Sequence, residues 1–248
     1  MSGRDESAAA PAGGIARTGP IASTGPIART GLIAPTAHRR SPVVFDASPA
    51  TTEVRDGWTV VLRYRHEEQH GGPLLVDLSH RRRWDYQDGS VATQRPMDLP
   101  VPREYGQVRV HGSLVINRMN RTQVAIWHLG DDPAPATPPG TAFTETTDGH
   151  CMLAFVGPEV PAVLEHITSL DLFDPARATP FLTQGPVLHV PCQIVTLATD
   201  LVVMTCARGY GETFAAAALH SGALAGLRTG GEDAFRRAFA SATVSARG

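Results

Sequence analysis

The sequence contains no lysine: all 22 of its basic residues are arginine. This excludes a Schiff-base lysine, a Walker-type phosphate-binding lysine and a kinase lysine. Cysteine is scarce, with only Cys151, Cys192 and Cys206 present. No two of them form a CxxC pair and each lies in an apolar, strand-like stretch, so buried thiols are expected rather than a disulfide framework or a set of metal ligands. Long apolar runs are also missing. Cys151 to Val156 and Leu201 to Met204 fall far short of the ~20 residues of a membrane-spanning helix. The N-terminus lacks the apolar core of a secretory signal, which gives a cytoplasmic expectation. Neither sign of charge dominates, and the formal charge of −2 argues against a dedicated nucleic-acid binder. What is present, 42% hydrophobic residues in 248 with a mean hydropathy near zero, suits an ordinary globular chain.

Residues 15–36 carry a six-residue repeat that begins Ile15-Ala-Arg-Thr-Gly-Pro20. So few copies, each broken by glycine or proline, cannot bury a continuous core, so residues 1–40 are expected to form a disordered tail. One α+β domain is expected over 41–248. Trp58, Val60, Leu62 and Tyr64 recur with the period of a strand, and Leu74 to Leu78 reads as a second. Further strands are expected over 108–111, 113–117 and 123–129, with turns at Gly112 and Asn120-Arg121. The proline-containing stretches 87–105 and 130–140 read as loops. In the C-terminal half a strand over 151–157 meets Pro158, and Val160, Val163, Leu164 and Ile167 follow at helical spacing. Strands over 187–197 and 201–207 and a helix from Gly211 to about Gly222 complete a β-α-β-β-α order, that of a ferredoxin-like module. A last helix near 232–242 places Phe235, Ala238, Phe239 and Ala242 on one face for docking.

Three constellations bear on chemistry. His66-Glu67-Glu68-Gln69-His70 matches the zinc-protease pattern HExxH, which needs both histidines on one helical face. A strand precedes it and Gly71-Gly72-Pro73 ends any helix at once, so it reads as a solvated charged loop and no metal site is assigned. Asp77, Ser79 and His80 invite a nucleophile-base reading, but adjacent strand residues point to opposite faces, which leaves a strand end with local backbone hydrogen bonds. Arg81, Arg82 and Arg83 beside them suit either a bidentate grip on a carboxylate or phosphate or a solvated edge. Arg208-Gly209-Tyr210-Gly211-Glu212 is a glycine-rich turn opening a helix, where unpaired N–H groups face an anion.

The order of these pieces resembles the glycine-cleavage T-protein (aminomethyltransferase) superfamily. The strand Trp58 to Tyr64 and Asp77-Leu78-Ser79-His80 are similar to the region of its Asp-Val-Ser-His signature. Leu114-Val-Ile-Asn-Arg-Met-Asn-Arg121 and Ala154-Phe-Val-Gly-Pro158 resemble the segments that precede and contain its Gln-Gly-Pro motif. Gly209-Tyr210-Gly211-Glu212 looks like a shortened Gly-Tyr-Thr-Gly-Glu segment. The resemblance spans roughly 42–225 and implies a folate-binding α+β fold of antiparallel sheets, with Asp77, Tyr210 and Glu212 as a vestigial pterin pocket. The acidic Gly-Gly-x-x-Asp-Asp-like segment on which T-proteins rely has no counterpart between His80 and Val108.

That departure is similar to the gamma subunit of heterotetrameric sarcosine oxidase and its dehydrogenase relatives. It implies a non-catalytic accessory subunit with no catalytic residue of its own, flavoprotein partner subunits carrying the flavin, and tetrahydrofolate as a possible ligand only. The competing expectation is a stand-alone tetrahydrofolate-dependent aminomethyl- or methyltransferase, with nearby arginines holding the folate's glutamate tail.

Overall fold

The computed structural model describes residues 38–67 and 71–245. The hexapeptide repeat lies outside the described residues, as do Glu68, Gln69 and His70 of the HExxH pattern. The described chain pairs with the body from Arg39, which forms a parallel bridge with Trp58.

Strand β1 (Pro49–Arg55) and strand β2 (Trp58–Tyr64) form an antiparallel ribbon. Its turn residues Asp56 and Gly57 both have positive φ, at 48° and 82°, which matches the twist of a tight hairpin. β2 alternates buried Trp58, Val60 and Tyr64 with more exposed neighbours, as its period requires.

Six strands make the central sheet, in the order β10 (Phe181–Val187), β11 (Val190–Ala198), β12 (Leu201–Ala207), β9 (His150–Val156), β3 (Leu74–Asp77) and β13 (Arg228–Gly230). All neighbours are antiparallel except β13, which runs parallel to β3. β9 is apolar throughout because both its faces are covered. Cys151, Leu153 and Phe155 enter one core, under helix α1 (Val160–Glu165) and helix α2 (Gly211–Gly222). Met152, Ala154 and Val156 enter a second core.

That second core is closed by helix α3 (Glu232–Ser245), through Phe235 and Phe239, and by a five-stranded antiparallel sheet. The latter has the order β5 (Val108–His111), β6 (Leu114–Arg118), β7 (Gln123–His128), β4 (Arg83–Gln87) and β8 (Phe143–Glu145). Its outer face, with Trp84, Ile116, Val124 and Ile126, is packed by Val91, Val101 and neighbouring loop residues. The result is a mixed α/β architecture of antiparallel sheets.

Several elements depart from expectation. The element order β9-α1-β10-β11-β12-α2 contains one strand more than the β-α-β-β-α order, since β10 precedes a turn at Leu188 and His189, both at positive φ (49° and 65°). β4 begins inside the arginine run, so the solvated-edge reading fails for two of its members: Arg81 is 5% and Arg83 1% exposed. Arg83 crosses between the sheets, donating to Thr205 Oγ1 on β12 (2.7 Å), Thr146 Oγ1 (3.0 Å) and Asp85 (3.1 Å). Burial lowers its pKa, and the carboxylate of Asp85 offsets part of that. Among the described residues no helix is long and apolar enough to cross a membrane.

Candidate functional site

Asp77 ends β3, where it faces a small cavity of about 90 Å³ also lined by Ser41, Tyr64, His80 and Gly230. Its Oδ1 accepts the Ser79 N–H (2.9 Å) and its Oδ2 accepts the Ser41 hydroxyl. Ser41 belongs to a segment that also touches the start of α2. Pro42 packs so closely on Gly211 that an added Cβ would lie 2.8 Å from the Pro42 carbonyl oxygen. The Arg208 guanidinium donates to the Arg40 carbonyl and lies over Trp58. The chain's own residues 40–42 therefore bridge from Asp77 to the turn carrying Tyr210 and Glu212. Tyr210 is 50% exposed and Glu212 is exposed on the first turn of α2; neither lines the Asp77 cavity.

Ser79 and His80 lie in the turn beyond the end of β3, not in the strand expected of them, and engage different partners. Ser79 Oγ accepts the Met152 N–H at 3.2 Å, whereas His80 Nε2 lies 2.8 Å from Glu232 Oε1. His66 and Glu67 are not the solvated loop expected of them, because β13 and the residue after it hold them through hydrogen bonds. The His66 ring nitrogen lies 2.8 Å from the Thr229 carbonyl oxygen, and Glu67 accepts the N–H groups of Tyr64 and Gly231.

The densest polar cluster surrounds Glu232, the first residue of α3, which is 0% exposed. Gly231 allows the helix to start this deep, since any side chain there would meet the Leu62 carbonyl oxygen at 2.2 Å. Arg55 grips both carboxylate oxygens, with Nη1 3.0 Å from Oε1 and Nη2 on Oε2. Arg81 Nη2 reaches Oε1 at 2.5 Å, and Arg236 Nη2 reaches Oε2 at 3.1 Å. Burial alone would raise the pKa of Glu232. The hydrogen bonds from His80 and Arg55 and the charge of Arg81 outweigh it, so the carboxyl is held well below the usual range.

Arg55, His80, Arg81 and Arg236, with Glu232 buried behind them, form one wall of a cavity of about 520 Å³, which also has Arg82, His128, Asp131 and Asp132 on its lining. Burial lowers the pKa of His128, opposed by Asp132 and reinforced by Arg81. Asp131 pairs with Arg81 and Arg236, both at 3.0 Å. Arg82 keeps only long contacts, 3.9 Å to Asp56 and 3.8 Å to Glu145. The bidentate grip on Glu232 comes from Arg55, outside the arginine run; of the run only Arg81 reaches this carboxylate, through one nitrogen. A carboxylate so fully hydrogen-bonded and so weakly basic is a poor proton acceptor, which makes this a binding and cross-bracing arrangement rather than an acid–base one.

No family model matches the sequence, and no curated protein matches it. Solved structures do. One is the heterotetrameric sarcosine oxidase from Corynebacterium sp. U-96, where the match has 11% identity and a TM-score of 0.52 and covers 61% of this chain and 84% of that chain. Another is the glycine cleavage system aminomethyltransferase T from Bartonella henselae, at 16% identity and TM-score 0.50, covering 80% of this chain but 61% of that one. The present chain therefore spans about three-fifths of the length of that aminomethyltransferase. At these identities the likeness is one of fold, and it agrees with the order of motifs in the sequence: the chain has the fold of the glycine-cleavage T-protein and of a sarcosine oxidase chain.

Proposed function

We propose that this chain is a non-catalytic accessory subunit of a flavin- and folate-linked amine oxidase or dehydrogenase of the sarcosine-oxidising type. Flavoprotein subunits would be its partners and would carry the flavin, in a cytoplasmic complex serving one-carbon metabolism. We also read β9-α1-β11-β12-α2 as a ferredoxin-like module into which β10 is inserted. The observation that carries the functional reading is the state of Asp77. Its cavity of about 90 Å³ is well below the ~300 Å³ at which ligand pockets begin, and Ser41 of the same chain occupies its carboxylate. The match to most of a chain of a heterotetrameric oxidase supports the same reading.

The test is to express the chain with its chromosomal neighbours and isolate it gently. Co-elution with a flavoprotein is expected, and a monodisperse lone chain with no partner would count against the proposal. The second reading, a stand-alone tetrahydrofolate-dependent aminomethyl- or methyltransferase, draws on the arginine-lined cavity of about 520 Å³. It requires saturable tetrahydrofolate binding by the isolated chain that is lost in Arg82→Ala.

A further inference from the structure

The three cysteines come from distant parts of the sequence but from adjacent strands. In the β12–β9 register Cys206 is directly opposite Cys151. In the β11–β12 register Gln193 is opposite Thr205, so the next pair outward is Cys192 with Cys206. All three are free, buried thiols pointing into the same core. They form a row across three strands with Cys206 in the middle, and the Cys192 thiol donates to the Val190 carbonyl oxygen at 3.3 Å.

The row is not a metal site. Neighbouring strands are about 4.8 Å apart, so the outer sulfurs are separated by roughly 10 Å and cannot converge on one ion at the ~2.3 Å of a metal–thiolate bond. No group of three or more potential ligands among the described residues is arranged to hold a metal. Adjacent members, by contrast, suit a disulfide. Directly opposed antiparallel residues have Cα atoms about 4.5–5.5 Å apart, inside the ~4.4–6.8 Å that a disulfide spans.

Access distinguishes the two possible pairs. A cavity of about 410 Å³ is lined by Cys192 and Cys206, with His150, Gln184 and Thr205 around them, whereas Cys151 lies behind. We propose that Cys206 and Cys192 are a peroxide-reactive dithiol that closes reversibly to a disulfide at the mouth of this cavity, with Cys151 as the reserve thiol behind it. The inference is independent of the subunit reading. Contact with Cys151 and then Cys192, aided by the nearby His150, holds the Cys206 thiol below its ordinary pKa against the effect of burial. Contact with Cys206 and then burial push Cys151 and Cys192 up. Cys206, with a thiol on each side and a place on the cavity lining, is the attacking sulfur.

Its thiolate attacks hydrogen peroxide, forming an S–O bond as the O–O bond breaks and hydroxide leaves as water with the thiol's proton. Cys192 then attacks the sulfenic sulfur, forming S–S and breaking S–O, and its proton leaves with the second hydroxide as water. Two thiols are oxidised by two electrons and one peroxide is reduced to two waters.

The experiment uses the reduced, full-length chain exposed to hydrogen peroxide at neutral pH without denaturant. Expected are a loss of about two mass units per chain, the mass of two hydrogens, and a fall in maleimide-labelled thiols from three to one after denaturation. Dithiothreitol should restore the third and second labels, and peptide mapping should join Cys192 to Cys206. Cys206→Ser should keep both remaining thiols labelled, because Cys151 and Cys192 are two strands apart. Three intact thiols under peroxide, a link between chains, or oxidation at Cys151 first would overturn the proposal. The wild-type peptide map decides the question even if Cys206→Ser does not fold.

Discussion

Asp77 and Glu232 lie on opposite sides of His80, which lines the cavity of one and bonds the other, yet they are held by different means. Asp77 is capped locally, by the N–H two residues ahead and by one serine. Glu232 is reached by four side chains from three segments: Arg55 of β1 (177 residues away), His80 (152 away) and Arg81 of the turn between β3 and β4, and Arg236 of α3 itself. The first arrangement sets the direction of a strand end. The second fastens the β1–β2 ribbon, the start of β4 and α3 to one another, so its loss would be felt across the molecule.

Removing Glu232 should break this comparison most severely. Glu232→Ala leaves three guanidinium groups without their shared partner, and removing one member of a buried charge cluster costs about 3–5 kcal/mol; urea unfolding of the variant should show an unfolding free energy lower by that amount. Acid tests the same residue without mutation. Because its folded pKa is depressed, its contribution is fully present above the ordinary value of 4.5 and is lost progressively as pH falls from there towards the folded value. Wild-type stability should therefore drop steeply below about pH 4.5, and Glu232→Gln should show a shallower drop. Gly231→Ala ranks next. The new methyl group meets the Leu62 backbone at 2.2 Å, and overpacking of this kind costs about 1–3 kcal/mol, measurable as a lowered thermal midpoint.

The sequence displayed strands wherever a face was uniformly apolar. β2 alternates, and β9 and β12 are continuous apolar runs because both of their faces are covered. It concealed strands whose residues obey other constraints. β4 carries Arg83 and Asp85 inside a polar run, and only the partners Thr205 and Thr146, contributed from elsewhere, explain their burial. β10 contains Gly185-Pro186, which an edge strand tolerates. β1 is exposed on nearly every residue and so has no hydrophobic period to detect. Of the Asp-Leu-Ser-His segment, Asp77 lines the smaller cavity and His80 lines both. Glu232 was invisible, because an acidic residue at a helix start with an arginine four residues on is ordinary, and its partners Arg55 and Arg81 are set by tertiary packing alone.

The mildest test concerns Asp77. Ser41→Ala removes two side-chain hydrogen bonds at a half-buried site, for which about 1–2 kcal/mol is expected, below the effect at Glu232. Its value lies in what else changes. Ser41 Oγ also accepts the Val43 N–H at 3.0 Å, and Pro42 next to it packs against Gly211. If residues 40–42 are what keep Asp77 covered, the variant should show faster amide exchange at Val43 and Gly211 while the β2 and α3 amides stay unchanged. Uniformly faster exchange would mean that Asp77, like Glu232, braces the whole fold, and the contrast between a local cap and a global clasp would not hold.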